Sequence, residues 1–337
     1  MKLILHIGTH KTGTTAIQRF LALNQVQMLK LGIGYPKYSD ILPGHADHYA
    51  HIDVAKGLMG ESRILSTEDS KLFLQGLRCY GEKHNCHTVV VSAESFMRGM
   101  LGSRKKKWTC IENFVKEVRK NIKIENVEVS ICLRGLSSYL PSLYNEHVKV
   151  TGYTEDIIAF HSQFRERFNF PLIIETWGKH FPRIRCVNYE TLGGGRTFIE
   201  NWVNYTCGVK DFTSFDFSDG PRNISWPLEL VAIKRELNKF LTGSGRANLR
   251  KKITKYIELQ KHEQSAGKKL QWLTQEEMGM IVSSHEKEYK SLLPNFGVDV
   301  DLLLKNEPIS KELVFKGLKE ENYLKFIKYL LEEKNNG

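Results

Sequence analysis

Short runs of apolar and β-branched residues recur along the chain, separated by longer amphipathic stretches. The runs lie at residues 3–7, 88–92, 127–133 and 184–187. Apolar runs of this length, without polar alternation, predict strands buried on both faces of a parallel sheet. Between them apolar residues recur at helical spacing, as at Ile17, Phe20 and Leu21. Strands that alternate with helices predict a three-layer α/β fold with a central parallel sheet.

Downstream of the fourth run the pattern is mostly helical. Within residues 309–334, apolar residues such as Leu313, Phe326 and Leu330 follow a roughly helical spacing. We therefore predict one main domain over residues 1–308 and a C-terminal helical extension over 309–337. A surface helix that packs on the main domain is the expected role of this extension, with a partner-binding helix as the alternative.

Charge and cysteine usage narrow the class of protein. The 337-residue chain carries a net charge of +11, which predicts an anionic partner such as a nucleotide, an acidic glycan, a nucleic acid or a membrane surface. The apolar run near Met1 is too short for a signal peptide or a spanning helix, so we expect a cytoplasmic protein. The six cysteines contain no CxxC pair, which favours free thiols.

The segment that follows the first predicted strand, Gly8 to Thr15, opens a predicted helix. A loop between a buried strand and a helix presents backbone N–H groups and the positive helix end to an anion, typically a phosphate. Gly8 and Gly13 have the spacing of a Walker A loop, but Thr14 occupies its lysine position and Lys11 lies inside the loop. This displacement argues against an ordinary ATPase.

His6 to Thr15 resembles the 5′-phosphosulfate loop of sulfotransferases that use 3′-phosphoadenosine-5′-phosphosulfate (PAPS), which in many bacterial members is close to HIGxxKTGTT. The resemblance implies a P-loop-like fold in which Lys11 contacts the phosphosulfate and stabilises the bridging oxygen as the S–O bond breaks. It also implies that Gly13, Thr14 and Thr15 hold the 5′-phosphate, with Thr12 in the same nucleotide site.

A second candidate anchor follows the third predicted strand, where Arg134 precedes Ser142 by eight residues. An arginine at a strand end and a helical serine can converge on one phosphate. In the resemblance to sulfotransferases, this pair matches the 3′-phosphate site, the group that distinguishes PAPS from ATP. Arg222 is a further candidate phosphate contact in a loop that closes over the nucleotide in related enzymes, and a solvated loop arginine is the alternative.

The base that deprotonates the acceptor hydroxyl has two candidates. Glu94 follows the second predicted strand, where related enzymes carry a catalytic histidine or carboxylate, and a structural hydrogen-bonding glutamate is the alternative. His45, His48 and His51 form the densest histidine cluster, on a predicted helical face. This cluster, with His48 at its centre, is a candidate base or acceptor site, while a metal site or a solvated segment are the alternatives. The basic run at residues 104–107 is a candidate contact for an acidic acceptor, or a solvated patch.

Taken together, the motifs predict a sulfotransferase that moves a sulfuryl group from PAPS to a hydroxyl of a carbohydrate or glycolipid, without a metal. Two alternatives remain: a P-loop nucleotide-dependent kinase, which magnesium dependence would favour, and a non-catalytic protein that binds a polyanion. We expect no nucleic-acid partner, because the basic residues are scattered and match no nucleic-acid motif. The sequence leaves the acceptor and the oligomeric state open.

Overall fold

Five parallel strands form the centre of the computed structural model, which describes residues 1–97, 108–218, 225–260, 270–318 and 320–335. Their order across the sheet is β2-β3-β1-β4-β5. The strands are β1 (Lys2–His6), β2 (Ile33–Gly34), β3 (Thr88–Ser92), β4 (Val127–Leu133) and β5 (Arg183–Asn188). The predicted α/β class with a central parallel sheet is confirmed.

Helices connect the strands and make up most of the remaining described chain. They are α1 (Thr14–Leu23), α2 (Gln25–Lys30), α3 (Tyr38–Ile41), α4 (Ile52–Leu58), α5 (Thr67–Lys83), α6 (Trp108–Asn121), α7 (Leu136–Val150), α8 (Ile157–Gln163), α9 (Phe170–Gly178), α10 (Gly195–Cys207), α11 (Leu228–Leu237), α12 (Gly243–Gln260), α13 (Gln275–Leu292), α14 (Val300–Leu304) and α15 (Glu320–Asn335). Among these described helices, none is both long enough and apolar enough to cross a membrane.

The position of β1 determines where a ligand can bind. β1 pairs with β3 on one side and with β4 on the other, in parallel register from Lys2 against Thr88 and from Leu3 against Val127. The chain therefore completes one half of the sheet before it returns to build the other half. In open α/β sheets, ligands bind at such a switch point, outside the carboxyl ends of the strands. The loop after β1 lies at this point.

The chain divides into two compact units, each built from separated stretches. The first unit contains the sheet and comprises Met1–Gly135, Glu166–Pro221 and Glu286–Leu303. The second unit is helical and comprises Leu136–Arg165, Arg222–His285 and Leu304–Gly337.

The second unit has an aromatic core around Tyr144. The Tyr144 ring centroid lies 5.6 Å from that of Phe160 and 5.3 Å from that of Trp272. Within the same unit, α15 contacts α12 through Phe326 and Tyr256, whose ring centroids are 5.4 Å apart. The helix predicted near the C-terminus is therefore present, while the division of the chain at residue 308 stays a prediction.

Candidate functional site

The backbone of the loop between β1 and α1 adopts a conformation that depends on glycine. Lys11 and Gly13 have φ angles of 65° and 72°, in the left-handed region. A Cβ on Gly13 would lie 2.4 Å from Cε1 of Phe198, and one on Gly8 would lie 2.5 Å from Cγ2 of Thr14. The close packing therefore requires glycine at both positions, and it turns the loop sharply into the helix.

The N-terminus of α1 is open to an anion. Gly13 occupies the N-cap position and has no side chain to accept hydrogen bonds from the first backbone N–H groups of the helix, and the first turn of α1 contains no acidic residue. Unpaired N–H groups and the helix dipole together attract negative charge. Two hydrogen bonds hold the loop in place. The Thr9 hydroxyl donates to the carbonyl of Cys132 on β4 at 2.7 Å, and the Thr12 hydroxyl donates to the Thr9 carbonyl within the loop at 2.6 Å.

Gly13, Thr14 and Thr15, predicted to hold the 5′-phosphate, and Thr12, predicted to lie in the same nucleotide site, form one continuous stretch at this helix start. Thr12 and Thr14 are buried, whereas Gly13 and Thr15 are partly exposed. The buried Thr12 hydroxyl is used within the loop, so its role in the fold is to shape the loop. The direct nucleotide contacts assigned to residues 12–15 stay a prediction.

The structure brings Arg134 to the loop. One guanidinium nitrogen of Arg134 donates to the backbone carbonyl of Lys11 at 2.8 Å. The guanidinium carbon lies 5.1 Å from the centroid of the Tyr189 ring, within range of a cation–π contact. The next residue, Gly135, donates its N–H to the Glu190 carboxylate at 2.9 Å. The residues that follow β4 and β5 therefore hold Arg134 against the loop that contains Lys11.

The other predicted anion contacts are Ser142, Arg222 and the basic run 104–107. Ser142 is half-buried on α7, within the second unit, so its convergence with Arg134 on one phosphate stays a prediction. Arg222 and the basic run 104–107 lie outside the described residues.

Glu94 lies two residues beyond the end of β3, the neighbour of β1 in the sheet. Its side chain is half-buried, and its Oε2 accepts a hydrogen bond from Nε2 of Gln18 on α1 at 3.0 Å. Because β3 and β1 are parallel neighbours, Glu94 and the anion-binding loop emerge from the same edge of the sheet. The location suits a base for a substrate bound at that edge, and catalysis by Glu94 stays a prediction.

The helical face predicted for the histidine cluster is wrong, because residues 45–51 form an irregular segment and α4 begins only at Ile52. His51 is buried, with Nε2 2.7 Å from the Pro36 carbonyl and Nδ1 accepting from the Ser92 N–H at 3.0 Å. Burial lowers the pKa of His51 to about 4. Its hydrogen bonds tie this segment to β3, which is a structural role.

The other two histidines of the cluster are more exposed. His48 is half-buried and its Nδ1 accepts from the Ala50 N–H at 3.1 Å, while His45 lies 3.7 Å from the Asp69 carboxylate. The three histidines therefore have separate partners. Within the described ranges of the chain, no group of three or more His, Cys, Asp or Glu residues is arranged to hold a metal ion. A catalytic role for His48 stays a prediction.

His6, the last residue of β1, is a buried polar residue at this edge that the sequence did not single out as a site residue. It is 1% exposed, its Nδ1 lies 2.8 Å from the Ser92 hydroxyl, and its ring packs 4.6 Å from that of Trp202. Burial lowers the pKa of His6 to about 4, although the Glu94 carboxylate partly opposes this. His6 is therefore a neutral imidazole at neutral pH, and its Nε2 has no hydrogen-bond partner among the described residues.

A mostly apolar cavity of about 220 Å³ lies beside the loop. Gly13 and Ala16 form the part of its wall nearest the anion-binding loop, and Tyr189, which Arg134 contacts, forms another part. The remaining lining residues come from α1, α10 and the segments around them: Phe20, Leu23, Gly194, Gly195, Arg196, Phe198, Ile199, Asp216 and Phe217. The cavity was not predicted from the sequence, because its walls come from three stretches, residues 13–23, 189–199 and 216–217, and the first is far from the other two in the chain.

No protein-family model matches the sequence, and no curated protein matches it. Among solved structures, the crystal structure of a sulfotransferase from Alicyclobacillus acidocaldarius is similar to this chain, with 13% sequence identity and a TM-score of 0.37. The similarity covers 73% of this chain and 99% of that chain. This similarity is too low to indicate a function for this chain.

Proposed function

We propose that this protein transfers a sulfuryl group from PAPS to an acceptor hydroxyl. The 5′-phosphosulfate binds at the N-terminus of α1, where backbone N–H groups and Lys11 attract its negative charge. The adenine occupies the neighbouring cavity. That cavity, about 220 Å³, is smaller than the roughly 300–1,000 Å³ of pockets that enclose a whole drug-sized ligand. Its size and its aromatic walls suit one planar base.

The observation that carries the proposal is the position of Arg134. Its guanidinium contacts the Lys11 carbonyl in the loop and the ring of Tyr189 in the cavity wall. In PAPS the ribose joins the base to the 5′-phosphosulfate and also carries the 3′-phosphate. A cation that touches both the anion loop and the base pocket is therefore close to the expected position of the 3′-phosphate. A guanidinium is well suited to bind such a group through paired hydrogen bonds.

The proposed reaction is an in-line displacement at sulfur. The acceptor oxygen attacks the sulfur, the bond from sulfur to the bridging oxygen breaks, and 3′-phosphoadenosine-5′-phosphate (PAP) leaves. Lys11 stabilises the negative charge that develops on the bridging oxygen. Glu94 removes the proton of the attacking hydroxyl, which leaves Glu94 protonated at the end of the transfer step.

We further propose a carbohydrate or glycolipid as the acceptor. The support is the resemblance of residues 6–15 to the loop of bacterial carbohydrate sulfotransferases and the net charge of +11, which favours an acidic acceptor as well as an anionic donor. The acceptor class can be tested independently of the donor. The test is mass spectrometry of candidate glycans incubated with enzyme and PAPS. A mass gain of one sulfuryl group is expected on at least one glycan. Transfer to small phenols alone would contradict the assignment of the acceptor class.

Calorimetric titration of the protein with PAP, ADP and ATP in the absence of magnesium tests the donor. The proposal predicts that PAP binds more tightly than ADP by a factor of roughly 10–100, the range expected for charge-assisted hydrogen bonds to one additional phosphate. Equal affinities for PAP and ADP would contradict it. ATP binding that appears only when magnesium is added would instead favour a phosphotransferase.

A further inference from the structure

Gln18 lies on the second turn of α1, the helix whose first turn forms the anion site, and it is 1% exposed. A long polar side chain is rarely buried this completely. The amide nitrogen of Gln18 has hydrogen-bond partners, whereas its amide oxygen, Oε1, has none among the described residues. The amide nitrogen of Gln18 is 3.0 Å from Oε2 of Glu94, 3.2 Å from the hydroxyl oxygen of Ser92 and 3.4 Å from the Ser92 carbonyl. All three contacts lie at the end of β3.

The chemistry of these contacts fixes the orientation of the Gln18 amide. The NH₂ group of Gln18, and not its carbonyl, faces Glu94, and a carboxylate that acts as a base accepts hydrogen bonds from such a donor. One N–H then donates to Glu94, and the second is directed to Ser92. Gln18 thus holds Oε2 of the Glu94 carboxylate.

The same network continues to the end of β1. If the Ser92 hydroxyl oxygen accepts from Gln18, its O–H can donate to Nδ1 of His6, which lies 2.8 Å away. His6 then carries its proton on Nε2, the tautomer that completes this chain of hydrogen bonds. The buried, neutral state of His6 is consistent with an acceptor Nδ1. The network Gln18–Ser92–His6 therefore links Glu94 to the strand that leads into the anion loop.

We propose that Gln18 is a positioning residue that orients the Glu94 carboxylate as the base for sulfuryl transfer. This inference rests on the proposed function and deepens it. Because Gln18 and the anion-binding N–H groups belong to one short helix, the helix that receives the donor also fixes the direction of the base. A rigid arrangement of donor and base lowers the cost of reaching the reactive geometry.

Two nearly isosteric variants test the role of Gln18. Gln18→Met keeps the volume of the side chain but removes the donor, and Gln18→Glu places a second carboxylate next to Glu94. The protein is labelled with ¹³C at the glutamate carboxyl groups, and the Glu94 signal is assigned as the one that disappears in Glu94→Gln. Loss of a donor to the charged form should move the titration midpoint of the Glu94 signal to higher pH in Gln18→Met, and a neighbouring carboxylate should move it further in Gln18→Glu.

Release of PAP from PAPS, with water as the acceptor, provides the second measurement. We expect Gln18→Met to slow this release by about 10-fold at saturating PAPS while PAP affinity stays within about two-fold of wild type, since the base and not the donor is misplaced. Gln75→Met is the matched control, because the Gln75 amide donates to Asn121 at 2.9 Å and a partly buried hydrogen bond is lost there too. The control should leave both the Glu94 titration and PAP release unchanged.

The outcomes separate this inference from the proposed function. If Gln18→Met lowers only thermal stability, as Gln75→Met does, and leaves the Glu94 titration unchanged, then Gln18 is a structural residue and the inference is overturned. If wild-type protein fails to bind PAP, the proposed function itself is overturned, whatever the titration shows.

Discussion

The two ends of the central sheet differ in whether their charged and polar groups are paired within the protein. Toward the amino ends of the strands, Glu128 on β4 lies between Lys2 on β1 and Arg185 on β5. Lys2 Nζ is 3.3 Å from Oε2 of Glu128, and Arg185 Nε is 2.9 Å from Oε1. At the carboxyl ends, the loop after β1 leads into a helix N-terminus without a capping side chain, and the buried His6 stays neutral.

This contrast separates residues that stabilise the fold from residues available to a ligand. The charged groups of the ion network at the amino ends are paired with one another, so they are not available to bind a ligand. At the carboxyl ends, backbone donors and the positive end of α1 remain open to an anion. Substitutions at one end can therefore be compared with matched substitutions at the other end or elsewhere at the same end.

The largest effect is expected for Lys11, in the loop after β1, in comparison with Lys2, the first residue of β1. Lys11→Ala should lower the release of PAP from PAPS by a factor on the order of 10²–10³, because charge on the leaving oxygen loses its stabilising ammonium group. Lys2→Ala should leave turnover within about two-fold and cost about 1 kcal/mol of stability, since it breaks only the partly exposed ion pair to Glu128. Similar turnover in both variants would contradict the assignment of Lys11.

The two arginines should differ in ligand affinity. Arg134→Gln should weaken PAP binding roughly 10- to 100-fold in calorimetry and remove most of the preference for PAP over ADP, because a charged donor to the 3′-phosphate is lost. Arg185→Gln should lower the melting temperature without changing PAP affinity, because Arg185 is paired with Glu128. An unchanged ratio of PAP to ADP affinity in Arg134→Gln would place the 3′-phosphate elsewhere.

A pair of glycines tests the shape of the loop without removing a functional group. Gly13→Ala should cost about 2 kcal/mol of stability and weaken PAP binding, since an L-residue is strained at φ 72° and the added Cβ would meet Phe198. Gly194 has φ −130° and no atom within 4 Å of its added Cβ, so Gly194→Ala should stay within about 0.5 kcal/mol. Urea unfolding measures both, and equal stability would contradict the proposed loop strain.

A pH dependence of stability is also expected to originate at the carboxyl ends. His6 and His51 have pKa values near 4 in the folded protein against an ordinary 6.5, so the unfolded chain binds more protons between these values. Their contribution to stability is full above pH 6.5 and is lost as the pH falls toward 4, at about 1.4 kcal/mol per pH unit for each histidine. Urea midpoints measured from pH 4 to 8 should show a shallower loss in His51→Gln than in wild type. An unchanged slope would show that His51 is not buried in its neutral form.

Most of the sheet could be predicted from local patterns. The four apolar runs correspond to β1, β3, β4 and β5, with boundaries that differ by no more than one residue at either end. β2 was missed because it comprises only Ile33–Gly34, too short to produce a recognisable pattern. The break between α1 and α2 was also missed. It occurs at Asn24, whose side chain bonds both the Phe20 carbonyl and the distant Asp216 carbonyl, a tertiary contact that local spacing does not reveal.

The candidate site was predictable only in part. Lys11 and Arg134 could be predicted because each follows a recognisable strand, and in the structure the Arg134 guanidinium donates a hydrogen bond to the Lys11 carbonyl. Gln18 could not be predicted, because a glutamine on the core side of a helix resembles an ordinary surface glutamine until its partners are known. The prediction that His45, His48 and His51 share a helical face was wrong, because the tertiary contacts of His51 with Pro36 and Ser92 override the local helical preference.

The order in which the chain is synthesised has a consequence for how the first unit assembles. The central strand β1 is made first, but its partner in register with Lys2 is Thr88, 86 residues later. At typical translation rates of 5–20 residues per second, β1 waits roughly 4–17 s for this neighbour, with its edges unpaired. The last stretch of the unit, Glu286–Leu303, is synthesised long after the strands, so the unit is complete only after that stretch has emerged. A nascent chain of this protein should therefore be a good client for chaperones that shield exposed strands.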